Sequence, residues 1–227
     1  MIRYLTFDLD GTLWDSNPAL LRAERAVHAW VARRWPRAAA LPMQALVQRR
    51  RDLAARRPDI VHDVTRLRHT SLAELARDHG YDPAAADEAM DLFLHERSRV
   101  ELYDDTLAAL ADLASRYRLV AVTNGNADVA RIGVAEYFDF VVTPAAVGAA
   151  KPDPKVFEYV LRRSGAPSSA MVHVGDEPVN DMQCARDAGV AGVWVNRTGV
   201  AWPDMPAPHA QIASLAELPG VLARLTG

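Results

Sequence analysis

Two carboxylates stand two residues apart where the first apolar run of the chain meets a loop. Asp8 and Asp10 follow residues 2–7, whose apolar pattern predicts a buried strand. Side chains at positions i and i+2 share one face of a strand, so both acids start from the same side. Their mutual repulsion is tolerable beside a cation, and carboxylate oxygens suit a hard metal ion. Gly11 permits the sharp turn that such a loop needs, although Asp and Gly are also ordinary residues of a solvated turn.

Two further polar groups follow along the chain. Thr123 and Asn124, just before Gly125, supply a hydroxyl and an amide of the kind that bind phosphate oxygens. The alternative for this group is a simple strand-ending Asn-Gly turn. Lys151 precedes Pro152, whose fixed φ can direct the approach of the ammonium group, and the alternative here is a solvated cation.

A second acidic group follows the apolar run 171–175. Asp176 and Glu177 end this run, and Asp181 lies at the start of the next predicted helix. Two acids at a strand end beside a helix N-terminus are a suitable position for a divalent cation, although Asp181 can also serve only as a helix cap. His173 lies in the middle of this run, and we expect it to be a core histidine with satisfied hydrogen bonds. The other histidines show no paired spacing of the metal-ligand type, so zinc is not expected.

The elements that must position these groups fall into two regions. Residues 16–98 carry only helical signals, with segments opening at Asn17, at Pro42, at a predicted capping box over residues 71–74 and at Pro83. From residue 99 onward, short apolar runs alternate with helical segments. The predicted strands are 119–123, 139–143, 171–175 and 191–195, and the predicted helices are 106–117, 127–137, 154–164, 180–188 and 215–225.

Short continuous apolar strands that alternate with helices indicate an α/β fold with a doubly wound parallel sheet covered on both faces. Ligands of such sheets bind at the carboxyl ends of the strands. We therefore expect a core of residues 1–15 and 99–227, with residues 16–98 inserted at that edge as a helical cap that acts as a lid.

Composition limits the classes of function. The chain has 227 residues, is 50% hydrophobic and carries a formal net charge of −3, so no general basic field favours nucleic acid. Residues 16–98 contain 14 Arg against 11 Asp and Glu, which indicates a solvated helical surface or a region that attracts an anionic substrate. One cysteine excludes an internal disulfide, and no apolar run approaches the roughly 18 residues of a membrane helix. These features predict a cytoplasmic protein with no membrane partner.

The order of the groups is more informative than any one of them. A carboxylate pair, a hydroxyl with an amide, a lysine and a second acid pair resemble the four motifs of the haloacid dehalogenase-like superfamily, in its phosphatase branch with a helical cap. The resemblance implies a Mg²⁺-dependent phosphomonoesterase that acts through an aspartyl-phosphate on a small phosphorylated metabolite. It makes Asp8 the nucleophile and Asp10 the general acid and base.

The resemblance also implies roles for the remaining motif residues. Thr123 and Asn124 would hold the phosphoryl group, and Lys151 would offset negative charge between the nucleophile and the phosphate. Mg²⁺ would be held by the carboxylates of Asp8 and Asp176 and by the backbone carbonyl of Asp10. Asp181 would not bind Mg²⁺ itself but would lie next to the residues that do.

Asp10 distinguishes two reactions within the superfamily. Its true dehalogenases lack an acid at this position because a halide leaves unprotonated, so Asp10 favours phosphoester chemistry. A phosphosugar mutase, a phosphoglycolate- or nucleotide-type phosphatase and a non-catalytic binding module remain open alternatives.

Residues 58–66 and 123–127 resemble a bacterial subgroup of these phosphatases that acts on FMN and on a phosphorylated ribitylaminopyrimidine of riboflavin synthesis. This subgroup carries Asp where this chain has Gly11, a change that the wider superfamily accepts. We expect three substrate contacts. Trp14 would present an aromatic face, and His62 and Arg66, four residues apart, would share one helix face. Further planar cations for a flat heterocycle would come from Arg49, Arg50 and Arg68.

Overall fold

The computed structural model describes residues 1–226. Within them the strands are β1 Tyr4–Phe7, β2 Arg118–Val122, β3 Phe140–Val142, β4 Met171–Gly175, β5 Ala191–Val195 and β6 Ala210–Ile212. They form one sheet in the order β3-β2-β1-β4-β5-β6, and every pairing is parallel. The predicted doubly wound α/β sheet is confirmed.

The α-helices of the described chain differ widely in length. They are α1 Asn17–Arg34, α2 Met43–Arg56, α3 Val64–Asp78, α4 Ala86–Arg97, α5 Thr106–Ala114, α6 Val129–Ile132, α7 Pro144–Val147, α8 Lys155–Ser164, α9 Cys184–Asp187 and α10 Leu218–Thr226. The long helices α1 to α4 lie between β1 and β2 in the chain. No helix in the described residues is long and apolar enough to cross a membrane.

The centre of the sheet determines where the polar motifs lie. Phe7, the last residue of β1, pairs with Ala121 of β2 on one side and with Val174 of β4 on the other. Because these three strands run parallel and in register, the residues after them emerge at one edge of the sheet. Asp8 and Asp176, each the first residue after its strand, therefore lie at neighbouring strand ends.

The chain forms two compact units. The core unit contains Met1–Asp15, Glu101–Gly125 and the chain from Gly133 onward, and the helical unit contains Ser16–Val100 together with Asn126–Ile132. Inside the helical unit, α1 packs mainly against α4. The apolar residues of α1 recur at helical spacing, and their buried side chains form one cluster with those of the other long helices.

The boundary of α3 corrects one prediction. Ser71 does not begin a helix, because it lies buried inside α3. The cap is Asp63, whose Oδ1 accepts hydrogen bonds from the backbone N–H groups of Thr65 at 3.1 Å and Arg66 at 2.9 Å. The helix therefore starts seven residues earlier than the predicted capping box.

Two further predictions differ from the structure, and one strand has no counterpart among the predictions. The predicted helix 127–137 is two short turns, because Gly133 adopts a left-handed φ of 87° between them. The predicted helix 180–188 is a π-helical turn, Pro178–Gln183, followed by α9. The short strand β6 was not predicted, since its three residues include one exposed side chain and offer too little periodicity.

Candidate active site

A cavity of about 160 Å³ lies at the carboxyl ends of β1, β2 and β4. Its position follows from the topology, because the strand order reverses between β1 and β4 and leaves a crevice at that edge. All of its lining residues belong to the core unit. They are Asp8, Asp10, Thr123, Asn124, Gly125, Lys151, Glu177, Asn180 and Asp181.

Lys151 is the buried cation of this cavity. Its Nζ donates hydrogen bonds to Asp8 Oδ1 at 2.6 Å, to Asp181 Oδ1 at 2.6 Å and to the carbonyl oxygen of Val122 at 2.8 Å. Burial acts to lower the pKa of Lys151, but the charges of Asp181 and Asp8 outweigh it and raise that pKa above its usual value. The ammonium group stays charged, and its three N–H donors are all engaged.

Asn124 fixes the backbone of Lys151. The side-chain amide donates from Nδ2 to the Lys151 carbonyl at 2.8 Å and accepts the Lys151 N–H at 2.8 Å through Oδ1. The peptide bond between Lys151 and Pro152 is cis. The Asn124 side chain therefore fixes the position of the Lys151 backbone, and its direct contact with phosphate stays a prediction.

Thr123 is buried, and its Oγ1 accepts the Gly125 N–H at 2.8 Å.

Three carboxylates converge beside the ammonium group. One oxygen each of Asp8, Asp176 and Asp181 lies within 4.8 Å of the others. Burial raises the pKa of Asp8, and the charges of Asp181 and Asp176 add to the effect against the attraction of Lys151. Burial and the charge of Asp181 likewise raise the pKa of Asp176 to about 7. The cluster thus carries more negative charge than the protein itself neutralises.

Two glycines make room for the acids. Gly11 has a left-handed φ of 83°, and a Cβ there would overlap the carboxylate of Asp176. A Cβ at Gly175 would overlap the carboxylate of Asp181. A side chain at either position would therefore force the neighbouring carboxylate out of the place that it has here, which is a steric reason for glycine beyond the turn that the sequence predicts at Gly11.

Asp176 is held by groups that the sequence did not single out. Its Oδ1 accepts from Thr12 Oγ1 at 3.0 Å, and its carbonyl accepts from Trp194 Nε1 at 2.7 Å. Arg197 in turn donates to the Thr12 carbonyl at 3.0 Å and pairs with Asp105 through two hydrogen bonds. Sequence spacing carries no signal for Arg197, because it meets Thr12 only through the fold.

Trp14 does not have the predicted role. It is fully buried, so it presents no aromatic face to a ligand. Its indole Nε1 instead donates to Asp10 Oδ1 at 2.8 Å. Buried Trp side chains place their N–H on a polar partner, and here that partner is the predicted acid and base.

His173 is fully buried in β4, as expected of a core histidine. Its Nδ1 lies 2.8 Å from Thr6 Oγ1, and its Nε2 lies 3.1 Å from Asp181 Oδ1. Burial lowers the pKa of His173 against the attraction of Asp181, which favours the neutral ring. Asp181 Oδ2 also accepts the Glu177 N–H at 2.9 Å. Asp181 therefore holds the backbone of the turn after β4 in addition to bonding Lys151.

The remaining predicted contacts belong to the helical unit. His62 lies in a turn before α3 and Arg66 lies in α3, so the two do not share a helix face; the reason is the cap at Asp63. Arg66 is exposed and its role stays a prediction. The other arginines proposed for stacking are engaged within the unit: Arg68 and Arg50 bind Glu24, and Arg49 binds Asp78.

The core-unit residues fit a divalent cation. Carboxylate and carbonyl oxygens are the ligands that Mg²⁺ prefers, and the raised pKa values of Asp8 and Asp176 show that added positive charge would stabilise their ionised forms. No Cys or His side chain belongs to this cluster within the described chain, which disfavours a softer metal.

Comparison with known proteins identifies the class of this fold and site. Residues 2–189 match the haloacid dehalogenase-like hydrolase family, and the chain belongs to that family. A relative in Escherichia coli, the 5-amino-6-(5-phospho-D-ribitylamino)uracil phosphatase YigB, is 32% identical over 97% of this chain and 96% of its own length. The phosphoserine phosphatase of Thermus thermophilus is 35% identical over 67% of this chain and 64% of its own. These phosphatase relatives confirm the prediction that the protein is a phosphatase of this family.

Solved structures agree on the fold. A crystal structure described as a 2-haloacid dehalogenase from Pseudomonas syringae is 41% identical, covers 99% of both chains and has a TM-score of 0.94. A phosphatase of the same family from Thermococcus onnurineus is 26% identical, covers 97% of this chain and 98% of its own, and has a TM-score of 0.72. The family therefore includes structural relatives described by two different reactions.

Proposed function

We propose that this protein is a Mg²⁺-dependent phosphomonoesterase that acts through an aspartyl-phosphate on a small phosphorylated metabolite. One observation carries the proposal: the buried Lys151 ammonium bonds Asp8 at 2.6 Å, within a cluster that also contains Asp176. A carboxylate beside a fixed cation can approach an anionic phosphoryl group, which a carboxylate without a cation would repel.

In the first step, an oxygen of Asp8 forms a bond to phosphorus while the bond from phosphorus to the substrate oxygen breaks. Lys151 offsets the negative charge that is shared between Asp8 and the phosphoryl oxygens. Asp10 gives a proton to the departing alkoxide. The covalent intermediate replaces one difficult displacement by two easier ones.

In the second step, Asp10 takes a proton from water, and the hydroxide oxygen attacks phosphorus as the bond between phosphorus and the Asp8 oxygen breaks. Phosphate leaves and both carboxylates return to their first state. One acid thus serves both steps, which requires that it be held at hydrogen-bond distance from the reacting oxygens. The Trp14 hydrogen bond supports this assignment, because it restricts the Asp10 side chain beside the cavity.

Mg²⁺ would be held by the carboxylates of Asp8 and Asp176 and by the Asp10 carbonyl, and when bound it supplies positive charge to the phosphoryl oxygens. Asp181 would support the set through Lys151. Thr123 would donate its hydroxyl proton to a phosphoryl oxygen, since its Oγ1 already accepts the Gly125 N–H.

For the substrate, we propose FMN or a ribityl phosphate of the riboflavin pathway. The support is the relative YigB, which matches over 97% of this chain and is named for such a substrate. A panel of FMN, phosphoserine, ribose 5-phosphate and phosphoglycolate, compared by kcat/KM with and without Mg²⁺, tests the proposal. The Asp8→Asn variant serves as the inactive control. Preference for another ester would reject the riboflavin assignment and keep the phosphatase.

Hydrolytic dehalogenation is the second candidate. It is favoured by the 41% identity to the structure described as a 2-haloacid dehalogenase. Against it stands Asp10, a proton donor that a departing halide does not need. Chloride release from 2-chloropropionate, measured beside phosphate release from a chromogenic ester, separates the two. Chloride release without phosphate release would replace the proposed function.

A further inference from the structure

A line of buried polar groups leads into the candidate site, and its first two members, Thr6 and His173, have no role in the proposed mechanism. It begins at Thr6 in β1, passes through His173 in β4 and reaches Asp181. Asp181 then bonds Lys151, and Lys151 bonds Asp8. Each step is a hydrogen bond between 2.6 and 3.1 Å.

The direction of these bonds can be assigned from the chemistry of the groups. The carboxylate of Asp181 only accepts, so His173 carries its proton on Nε2 and donates it to Oδ1. In a neutral ring Nδ1 then accepts, and Thr6 Oγ1 lies 2.8 Å from it, closer than the 3.4 Å from Oγ1 to the Val172 carbonyl, so we assign the Thr6 hydroxyl proton to Nδ1. The Asp181 carboxylate therefore selects the tautomer of His173, and the Thr6 hydroxyl is compatible with it.

Packing alone does not account for a histidine at this position. Its neighbours in β4, Val172 and Val174, are buried apolar residues, and His173 meets Phe157 edge to face with the ring centroids 5.0 Å apart. An apolar side chain would fill the same space without the cost of burying two ring nitrogens. Both ring nitrogens of His173 have a hydrogen-bond partner, and the partner of Nε2 is Asp181, which also bonds Lys151.

Asp181 needs such a partner to keep its direction. Gly175 leaves a space that the carboxylate occupies, so no backbone Cβ limits its rotation there. Oδ2 is fixed by the Glu177 N–H, and Oδ1 is shared by Lys151 and His173. Without His173, Oδ1 would keep only its hydrogen bond to Lys151, so the Asp181 carboxylate would be less restricted and one of the three bonds that hold the Lys151 ammonium beside Asp8 would be less well directed.

We propose that His173 is a positioning residue of the reaction, which orients Asp181 and thereby holds Lys151 against the nucleophile Asp8. The inference rests on the proposed phosphatase function for its consequence in catalysis. It rests on the Thr6, His173 and Asp181 geometry for the hydrogen bond itself.

The first experiment observes the hydrogen bond without any turnover. Long-range ¹H–¹⁵N spectra of the histidine rings report which nitrogen carries the proton. We expect the Nε2–H tautomer for His173, assigned by its loss in His173→Gln, and a changed spectrum in Thr6→Val. A Nδ1–H tautomer in the folded wild-type protein would overturn the proposal whether or not the protein is a phosphatase.

The second experiment compares three variants on a chromogenic phosphate ester. His173→Phe keeps the ring against Phe157 and removes both nitrogens, and we expect kcat to fall by about 10- to 100-fold while KM changes little. His173→Gln restores an N–H donor of similar reach and should recover part of kcat. Val160→Ala is the control, because Val160 belongs to the same apolar cluster as Phe157 and its side chain has no hydrogen-bonding atom to contribute to the polar line.

The outcomes are separable. Each rate is divided by the folded fraction measured by circular dichroism, so a loss of stability alone leaves kcat unchanged, as expected for Val160→Ala. If folded His173→Phe retains the wild-type kcat, the positioning role is rejected while the phosphatase stands. If the wild-type protein hydrolyses no phosphate ester, the proposed function fails, and the tautomer experiment still decides the geometry.

Discussion

The indole N–H of Trp14 donates a hydrogen bond of 2.8 Å to Oδ1 of Asp10, four residues earlier in the chain. The two residues also form an isolated parallel bridge, and the Gly11 N–H donates to the Trp14 carbonyl at 2.8 Å. The loop after β1 thus folds back on itself and restricts its own second carboxylate. A buried aromatic residue holds the group that the proposed mechanism uses for proton transfer.

Trp14→Phe should therefore impair proton transfer more than phosphoryl binding. We expect kcat to fall about 10-fold for alkyl phosphates and less for aryl phosphates, because a good leaving group needs little protonation. The measurement is kcat for a series of esters of graded leaving-group pKa. The double variant Trp14→Phe with Asp10→Asn should be no slower than Asp10→Asn alone, and additive losses would show that Trp14 acts elsewhere.

Asp8→Asn should remove turnover and preserve the fold. The amide keeps the shape of the carboxylate but is a poor nucleophile, so we expect a loss of at least about three orders of magnitude in kcat. Because burial raises the pKa of Asp8, removing this charge should also stabilise the metal-free protein. Thermal unfolding in EDTA checks the second effect. A fully active, folded variant would eliminate Asp8 as the nucleophile.

The pKa of Asp176, raised to about 7, predicts a pH dependence of stability. In the unfolded chain Asp titrates near 3.9, so between these values the folded, metal-free protein binds more protons than the unfolded one. Stability from this group is therefore lost as pH rises through that window. Mg²⁺ binds the ionised form, so its stabilising effect should be larger at about pH 8 than at about pH 5.5.

Asp176→Asn provides the comparison for that pH dependence. The variant should show a weaker fall of Tm with pH in EDTA, a smaller increase of Tm on adding Mg²⁺, and a higher Mg²⁺ concentration for half-maximal activity. Differential scanning fluorimetry and a Mg²⁺ titration measure these effects. An unchanged titration midpoint would remove Asp176 from the ligands.

Glu24→Ala should destabilise the helical unit strongly. Glu24 binds the buried Arg68 through two hydrogen bonds, at 2.7 and 3.0 Å, and Arg50 at 2.7 Å. Removing it leaves a buried cation without its counter-charge, which costs about 3 kcal/mol. Urea unfolding measures the change. Glu74→Ala, which breaks the more exposed pair with Arg56, should cost less than about 1 kcal/mol, and equal costs would contradict the argument.

The sequence predicted the parts of the protein that local pattern controls. Apolar runs located β1, β2, β4 and β5, and the motif order placed Asp8, Asp176 and Lys151 at one edge of the sheet. Such patterns depend on neighbours in the chain and on the periodicity of strands and helices. The confirmed sheet shows that these local signals are sufficient for the architecture.

Other features depend on contacts between distant segments. The role of Arg197 comes from its contact with Thr12, which lies 185 residues away, and no spacing rule predicts such a pair. The sequence position of Trp14, in the loop after β1, suggests an aromatic side chain available to a substrate, but the fold buries it completely. The boundary of α3 differs for another reason: residues 71–74 have the pattern of a capping box, but the helix is already capped by Asp63, eight residues before Ser71.

The composition of the helical unit has a consequence for protein engineering. Its second segment, Asn126–Ile132, follows Gly125, the residue after Thr123 and Asn124. Asn126 donates to Thr65 Oγ1 at 3.0 Å, and the Asp128 N–H donates to Ser98 Oγ at 3.0 Å. A truncated protein in which a short linker replaces residues 16–100 would leave this segment without its packing partners. A chimera that exchanges the helical unit for that of a relative must therefore transplant both pieces of chain together.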